Sequence, residues 1–588
     1  MIDARRTTGF ACGALLAVSL GTACTSEDFS PPSAGRAADA LARAWSEQDA
    51  RAMVASFDRA SRDRWSPGRL VRVLARVRRQ GLIDQVSVRT AGEPEIPEIE
   101  SQEELESGDV ATSAPFVLTY TSEAAAEPVE LSGEIALRYD AAGGEWLAHW
   151  DRSLLWPGID GARALVVSAR WSKRAPIVDR AGRALARGPA LNRKYPFASV
   201  GGSTIGHIGP LSKKESRTST GLNGLNRPED YVGLSGLEAA FERRLAGTPS
   251  TRLAVVDRKD RRLEVVGRAR GRSGRPLRTT LDVGVQRAAE QAFGATVGGS
   301  VVIEPGSGYL LAVVSSSPFD PNNYVGVAGI TPFNRALSGL YAPGSSMKVV
   351  TASAALDSGK VTPRTTVTGP KNYKGVTNFE SGQFGPIPFA DALQFSVNTA
   401  FAQVAEKLGA GAMTRYARSF GFNRAPDMRL SAASSSFPRP GDLGDLMWGS
   451  IGQAQVLATP LQMSTVAATV ANGGKRMEPR IALNRPPSGA RAISRKTAGT
   501  MTMLMQSVVT GGTGVNAQIP GVNVAGKTGT AEVDVEGERK NHAWFVAFAP
   551  AESPEVAVSV VSEYGGIGGQ VAAPLAGRIL QAVLPLVP

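Results

Sequence analysis

The spacing of apolar residues along the chain predicts blocks of helix and strand that change in character from one end to the other. Near the N-terminus apolar positions recur at helical spacing, and further on apolar and polar positions alternate strictly, as in half-buried strands. An acidic, proline-containing stretch at residues 93–109 predicts a solvated loop between them. The pattern indicates a small α+β domain, with helices at residues 37–45 and 70–77 and strands at residues 114–121, 129–139 and 145–150.

The middle of the chain gives weaker signals. It is rich in glycine, arginine and short polar runs, and residues 174–182 contain a turn. Residues 236–245 have the spacing of an amphipathic helix. We find no catalytic constellation in either of these first two regions.

Beyond residue 277 the apolar spacing predicts helices and strands more clearly. Asp282 is placed to cap a helix that runs to Phe293. Two apolar runs, residues 300–304 and 309–315, are joined by a Pro-Gly-Ser-Gly turn and predict a hairpin. The pattern predicts one sheet built from the first and last segments around a helical block at residues 345–510, with late strands at 522–533, 543–549 and 556–562 and a closing helix at 570–587.

Length and charge limit the classes that this chain can belong to. At 588 residues it is too long for one hydrophobic core, and two to four domains are expected. The formal charge is +12, but the basic residues are scattered and do not interleave with aromatics. We therefore expect no nucleic-acid partner, and we divide the chain into residues 1–26, 27–157, 158–277 and 278–588.

The N-terminus has the pattern of an export signal. Arg5 and Arg6 precede an uncharged stretch from Thr7 to Ser26, which places the N-terminus inside the cell. Its 20 residues could just span a bilayer. The stretch also resembles a bacterial lipoprotein signal that leads to Cys24. Both alternatives tether the rest of the chain to the outer face of the cytoplasmic membrane.

Few residues suited to metals or to thiol chemistry are available. The two cysteines, Cys12 and Cys24, lie in the N-terminal signal, and the three histidines have no metal-ligand spacing. We expect no metal site. A catalytic base other than a paired histidine is also expected.

A Ser-x-x-Lys motif supplies a nucleophile and such a base. Pro343 and Gly344 place Ser345 at the start of a segment with helical periodicity, where free backbone N–H groups can stabilise an oxyanion. Ser345 and Lys348 are three residues apart and therefore share one helix face. An amine can activate a hydroxyl only when it is neutral, which requires burial and nearby positive charge.

A second motif, Ser-x-Asn, lies on a predicted turn between two helical runs. The i, i+2 spacing of Ser396 and Asn398 lets both polar side chains point toward the Ser/Lys pair. Ser396 could relay a proton to a leaving amine, and Asn398 could hold Lys348 and the substrate backbone. Taken alone, the tripeptide is most simply a helix cap.

A third motif, Lys527-Thr528-Gly529-Thr530, lies on a predicted strand. Its glycine permits an extended peptide to lie along the strand. The ammonium of Lys527 and the threonine hydroxyls suit a substrate carboxylate.

The three motifs in this order resemble those of class B penicillin-binding proteins. Residues 233–238 and 174–182 are similar to the pedestal, or dimerisation, domain of that family, and residues 146–150 and 155–157 to a MecA-type N-terminal domain. Other stretches that resemble family landmarks are residues 450–453, 459–462, 471–474 and 542–545.

The resemblance implies an α+β multidomain chain. A penicillin-binding transpeptidase fold at residues 278–588, made of an antiparallel sheet and a helical block, would follow an elongated pedestal and a small α+β domain. The implied activity is peptidoglycan D,D-transpeptidation, with D-Ala-D-Ala stem peptides as substrates and acylation by β-lactams. No cofactor is implied, and a membrane glycosyltransferase would make the glycan strands.

The resemblance also assigns roles to residues. Ser345 would be acylated and Lys348 would be its base, with Ser396 and Asn398 completing the proton network. Lys527, Thr528 and Thr530 would bind the carboxylate along a strand that includes Gly529. The N–H groups of Ser345 and Thr530 would form the oxyanion hole.

Three other activities share these motifs. A D,D-carboxypeptidase differs only in using water as the acceptor, which the motifs do not exclude. A β-lactamase would need fast deacylation, and we find no Glu-containing loop of the class A type. A non-catalytic scaffold would not require the intact Ser345, Lys348 and Lys527.

Overall fold

The computed structural model describes residues 32–99, 101–107, 110–211, 231–316, 319–323, 333–484 and 486–587. The chain divides into two compact units. The first ends at Ser168 and also takes in the segment Arg252–Ala269, and the second contains Ala169–Thr251 and the chain from Arg270 onward. The predicted N-terminal signal lies outside the described residues.

The first unit begins as a layer of helices on a four-stranded antiparallel sheet. The strands follow chain order across the sheet, β1-β2-β3-β4. The predicted helices and strands are confirmed, but the sequence pattern did not reveal β1, and part of the predicted acidic loop forms the short helix α5. The elements are α1 (Ala34–Ser46), α2 (Ala50–Ala55), α3 (Arg59–Arg64), α4 (Pro67–Gly81), α5 (Gln102–Glu106), β1 (Ile83–Thr90), β2 (Ala111–Ser122), β3 (Val129–Asp140) and β4 (Glu145–Ala148).

An aromatic cluster holds this helical layer on its sheet. Trp150 lies after β4, with its ring stacked on Phe57 at 5.2 Å and edge-on to Trp45 at 4.8 Å between centroids. All three side chains are buried. A second, three-stranded sheet adds Ala164–Arg170, Ser250–Val256 and Arg262–Ala269.

In the second unit, residues 169–251 form short strands and helices around a buried ionic cluster. Both carboxylate oxygens of Glu238 are paired, one with Arg174 and one with Arg193, at 2.7 Å each. The single helix predicted at residues 236–245 is wrong, because the backbone of Phe241 leaves helical geometry and splits it in two. The elements of this region and its paired strand are Ile177–Val178, Ala184–Ala186, Gly202–Ile205, Ile208–Pro210, Tyr231–Gly233, Gly236–Ala240, Glu242–Ala246 and Leu277–Arg278.

The larger part of the second unit is built on a five-stranded antiparallel sheet. The predicted hairpin occupies one edge, and the last three strands complete the sheet from the other. This confirms that the first and last segments of the region share one sheet. In spatial order the strands are Tyr309–Ser315, Gly298–Glu304, Val556–Ser562, Glu538–Ala549 and Ala525–Val535.

Helices cover both faces of this sheet. Val283–Phe293, capped by Asp282 as predicted, and Ala572–Val583 pack together on one face. Pro460–Ala471 packs on the other face, below the helical block. The helices of that side are Arg335–Ser338, Lys348–Asp357, Phe389–Gln394, Asn398–Leu408, Ala410–Ser419, Leu443–Ser450, Pro460–Ala471 and Arg495–Gly511, and its short strands are Thr366–Gly369, Asn372–Tyr373, Val376–Thr377, Phe384–Pro388, Lys475–Met477 and Gly489–Arg491.

Within the part of the chain that the structure describes, no helix has both the length and the apolarity needed to cross a bilayer.

Candidate active site

Ser345 lies in a tight turn immediately before a buried helix. Gly344–Met347 forms one 3₁₀ turn, and the α-helix begins at Lys348, three residues later than the predicted start. Gly344 has a φ of +52°, and a Cβ there would lie 2.5 Å from the carbonyl oxygen of Thr530. The turn can therefore approach the neighbouring strand only with glycine at this position. Ser345 is left half-buried and open to a cleft, whereas the Ser346 hydroxyl is buried and donates to the Pro343 carbonyl at 2.6 Å.

Lys348 is fully buried among four oxygen atoms. Its Nζ lies 3.0 Å from Ser345 Oγ and 2.6 Å from Asn398 Oδ1. Ser396 supplies the other two, its carbonyl oxygen at 2.7 Å and its Oγ at 3.1 Å. The structure thus brings together the four residues that the first two motifs predicted.

The chemistry of these four atoms indicates where the lone pair of a neutral Lys348 points. A neutral amine has two N–H donors and one lone pair. The Ser396 carbonyl can only accept, and so can Asn398 Oδ1, because the amide of Asn398 is oriented by donating from Nδ2 to the Thr377 carbonyl at 2.9 Å. Those two acceptors use both donors. The lone pair is therefore left for a hydroxyl, and Ser345 is in reach.

Burial favours this neutral state. Desolvation lowers the pKa of Lys348 well below its usual value, and repulsion from Lys527 lowers it further. The ring of Phe401, 5.3 Å from the Nζ, forms an apolar wall on one side. A neutral lysine requires burial and a nearby basic group, and Lys348 has both.

Ser396 connects the two lysines. It occupies the turn between Phe389–Gln394 and Asn398–Leu408, as predicted, with a φ of +58°. This left-handed conformation is uncommon for a residue with a side chain. Lys527 Nζ lies 2.9 Å from Ser396 Oγ, which is also 3.1 Å from Lys348 Nζ. One hydroxyl therefore links both amines.

Lys527 lies on the edge strand Ala525–Val535, and its side chain is fully buried. Its Nζ also contacts the carbonyl oxygen of Thr528 at 3.0 Å and Thr528 Oγ1 at 3.3 Å. Burial lowers the pKa of Lys527 to about 7. A Cβ on Gly529 would lie 2.7 Å from the Pro343 carbonyl oxygen, so this glycine lets the strand approach the serine turn.

A cleft of about 820 Å³ opens over these groups. Five of the eight predicted site residues line it, while Lys348, Lys527 and Gly529 lie behind its surface. Aromatic side chains form part of the wall. The predicted residues that line the cleft are Ser345, Ser396, Asn398, Thr528 and Thr530, and the aromatic ones are Phe379, Phe395 and Trp448.

Some functional contacts were not predicted from the sequence. Thr513 Oγ1 lies 2.7 Å from Thr528 Oγ1 and adds a third hydroxyl beside Lys527. Trp544 Nε1 donates to the Ala342 carbonyl at 3.0 Å, and the Gly452 carbonyl accepts from the N–H of Gly344 at 2.9 Å. The last two hold the turn that carries Ser345. Residues 450–453 and 542–545 resemble family landmarks, but a sequence pattern does not show which backbone atom a distant residue contacts.

Among the described residues, the histidine, cysteine and acidic side chains form no group of three or more that could hold a metal ion.

Comparison with known family models gives two matches along the chain. The family model described as the penicillin-binding protein transpeptidase domain matches residues 298–581. The penicillin-binding protein dimerisation domain matches residues 188–279.

Curated relatives match a large share of the chain. The chain is 33% identical over 416 residues to the peptidoglycan D,D-transpeptidase PbpA of Mycobacterium tuberculosis, which covers 61% of this chain and 83% of that one. It is 30% identical over 439 residues to the peptidoglycan D,D-transpeptidase MrdA of Acinetobacter baumannii, covering 65% of this chain. The match spans 64% of the Acinetobacter protein, slightly less than two thirds of its length.

Solved structures agree with these matches. The crystal structure of PBPA from M. tuberculosis superimposes with a TM-score of 0.57 at 30% identity, over 70% of this chain and 98% of that one. A ceftriaxone acyl-enzyme complex of the same protein gives a TM-score of 0.56 at 29% identity, over 71% and 98%.

Proposed function

The chain belongs to the penicillin-binding proteins, as a serine-type peptidoglycan D,D-transpeptidase, and we propose that its acyl-enzyme forms on Ser345 through the neutral amine of Lys348. The observation that carries this assignment is the arrangement around Lys348. Its Nζ lies 2.7 Å and 2.6 Å from two oxygens that can only accept, and 3.0 Å from the Ser345 hydroxyl, so a neutral amine that donates to both acceptors has its lone pair left for a hydroxyl. General-base help of this kind is worth about 10²–10⁴-fold in rate.

In the acylation step, Ser345 Oγ attacks the carbonyl of the penultimate D-Ala and its proton passes to Lys348. The terminal D-Ala leaves as an amine and needs a proton in turn. Ser396 Oγ, within 3.1 Å of Lys348 and 2.9 Å of Lys527, is placed to pass that proton on. The bond formed is the Ser345 ester, and the bond broken is the D-Ala-D-Ala amide.

In the second step, the amine of a neighbouring stem peptide attacks the ester. Its proton returns along the same groups, and Ser345 regains its hydroxyl as the cross-link forms. The N–H groups of Ser345 and Thr530 would stabilise both oxyanions, since Thr530 lies beside the serine turn. If water attacked the ester in place of the amine, the reaction would be that of a D,D-carboxypeptidase.

The carboxylate of the donor would bind at the strand Ala525–Val535. We assign it to Lys527, Thr528 and Thr530, and we add Thr513 because its hydroxyl contacts that of Thr528. A bound carboxylate would keep Lys527 protonated, and a protonated Lys527 would keep Lys348 neutral by repulsion. Substrate binding and activation of the base are coupled in this way.

The identity of the acyl acceptor is tested in a reaction that contains both possible acceptors, water and an amine. The full chain is incubated with a D-Ala-D-Ala donor peptide and an acceptor amine, and the transfer and hydrolysis products are separated by mass. Transfer that rises with acceptor concentration while hydrolysis falls supports transpeptidation. Hydrolysis that is insensitive to acceptor would make the chain a carboxypeptidase.

We also propose that residues 1–26 tether the chain to the outer face of the cytoplasmic membrane, by a spanning segment or by lipid on Cys24. The transpeptidase would then act on glycan strands from a membrane glycosyltransferase. The basic residues before the uncharged stretch support this topology. Loss of membrane attachment in Cys24→Ala would favour the lipid, and unchanged attachment would favour the spanning segment.

A further inference from the structure

Helices α3 and α4 of the first unit carry an unusual concentration of arginine. Between Arg59 and Arg79 there are eight arginines and one acidic residue, Asp63. All eight arginines are exposed. In an otherwise mixed surface this makes one strongly positive region.

The arginines of α4 lie on one side of the helix. Its buried residues, Leu70, Leu74 and Val77, define the inner face at i, i+4 and i+7. At 100° per residue, four arginines fall within one quarter of the helix on the opposite side. These are Arg69, Arg72, Arg76 and Arg79, and with Arg152 and Arg163 they make what we call the arginine face.

Arg152 and Arg163 add positive charge beside the arginines of α4. Partial burial lowers the pKa of Arg152, and repulsion from the nearby Arg163 and Arg76 lowers it further. Arg152 Nη2 is 3.4 Å from the carbonyl oxygen of Arg163, while its Nε is buried without a hydrogen-bond partner. The ion pairs found among the described residues involve other arginines.

Like charges held together in this way are destabilising unless an anion lies against them. Arginine is the side chain best suited to phosphate oxygens, because its planar donors bind them in pairs. The arginine face follows the outside of a helix, so it is convex and is not a pocket. It therefore suits an extended anionic surface better than a single small ligand.

We propose that the arginine face docks this unit on the anionic phospholipids of the membrane. The inference rests in part on the proposed tether. Seven residues separate Ser26 from the start of α1 at Ala34, and a chain of seven residues can span at most about 25 Å. Each arginine near an anionic leaflet contributes about a fivefold gain in binding.

The experiment is arginine footprinting of the full chain with phenylglyoxal, read by peptide mass. The chain is mixed with vesicles of neutral phosphatidylcholine or with vesicles that also contain phosphatidylglycerol. We expect modification of Arg72, Arg76 and Arg79 to fall about fivefold or more in the anionic vesicles only. The protection should disappear at high salt, because screening shortens the range of these charges.

Matched controls come from the same unit. Arg89 and Arg138, exposed on strands β1 and β3, should be modified equally in both lipids. The variant Arg72→Gln/Arg76→Gln should lose the protection of Arg79, whereas Arg89→Gln/Arg138→Gln should keep it. Penicillin labelling of every sample reports folding of the second unit.

Two outcomes would overturn the proposal. One is equal modification of the arginine face in neutral and anionic vesicles. The other is equal protection by soluble polyphosphate and by anionic vesicles, which would assign the arginine face to a dissolved anionic polymer. A failure of penicillin labelling with protection intact would count against the proposed enzyme and leave the docking surface standing.

Discussion

Two buried lysines sit within hydrogen-bond reach of the same serine hydroxyl, and their roles differ because their surroundings differ. Lys348 faces Ser345 and an aromatic ring, and Lys527 lies on the strand that lines the cleft. Burial lowers the pKa of both lysines, and repulsion from Lys527 lowers the pKa of Lys348 further. Below about pH 7 the free state therefore has a neutral Lys348 beside a protonated Lys527.

The first prediction separates the two lysines by kinetics. Lys348→Ala should lower the rate of acylation at saturating penicillin by about 10²–10⁴-fold, because the base is lost. Lys527→Ala should lower the second-order rate, with part of the loss appearing as weaker binding. The measurement is the acylation rate against penicillin concentration. A near wild-type rate for Lys348→Ala would refute its role as base.

The second prediction is a pH dependence. Acylation by the free enzyme should decline as pH rises through about 7, because Lys527 then loses the proton that binds the carboxylate. In Lys527→Arg the guanidinium stays charged, so the reaction should be slower but the alkaline decline should move out of the measurable range. The second-order acylation rate is measured across pH for both proteins. An identical alkaline limb in the two would contradict the assignment.

Much of the residue-level site was predictable, and the reason is local spacing. Ser345 and Lys348 share a helix turn, and Ser396 and Asn398 share a loop, so their sequence separations fix their relative positions. Thr513 was not predictable, since it reaches Thr528 from a separate segment that carries no motif. Only the packing of the long helix Arg495–Gly511 against the edge strand brings it there.

At the scale of elements, long periodic segments were predicted well and short ones poorly. The helix α4, with 15 residues, and the strand β3, with 12 residues, each contain several repeats of their pattern. The helix expected at residues 236–245 instead breaks at Phe241, where a tertiary environment around Glu238 outweighs the local periodicity. The acidic loop contains α5 because Ser101 caps it, accepting from the N–H of Glu104.

The third prediction concerns the turn that carries Ser345. Gly344→Ala should lower acylation by about 10²-fold, because the added Cβ would lie 2.5 Å from the Thr530 carbonyl and displace the nucleophile. Gly359→Ala is the matched control. Gly359 has a φ of +70°, but no atom lies within 4 Å of the added Cβ. The Gly359→Ala substitution should therefore lower the stability by about 1–2 kcal/mol and leave acylation unchanged. Equal losses of acylation in both would show that backbone strain alone explains the effect.

At the scale of the whole molecule, changes in composition predict consecutive regions along the chain, but they do not predict the path of the chain. The segment Arg252–Ala269 returns to the first unit after an excursion into the second. The strand Ser250–Val256 pairs with Ala164–Arg170 across the intervening residues 171–249, and Arg262–Ala269 pairs with Ser250–Val256. Periodicity identifies a strand and does not identify a distant partner.

The fourth prediction is about the region that precedes the transpeptidase fold. Glu238→Gln should lower the free energy of unfolding by about 3–5 kcal/mol, because it leaves Arg193 buried without a counter-charge and leaves Arg174 with Glu242 alone. Glu538→Gln, which removes an exposed pair with Lys540 at 3.3 Å, should leave the stability almost unchanged. Denaturant unfolding measures both. A loss of equal size in the two variants would contradict the importance of burial.

The central claim is that Ser345 is the acylated residue, and peptide mass mapping of the full chain after reaction with penicillin tests it most directly. The adduct should lie on Ser345 and be absent from Ser345→Ala. It should persist in Ser346→Ala, since the Ser346 hydroxyl is buried against the Pro343 carbonyl. An adduct on another serine, or a normal adduct in Ser345→Ala, would contradict the account.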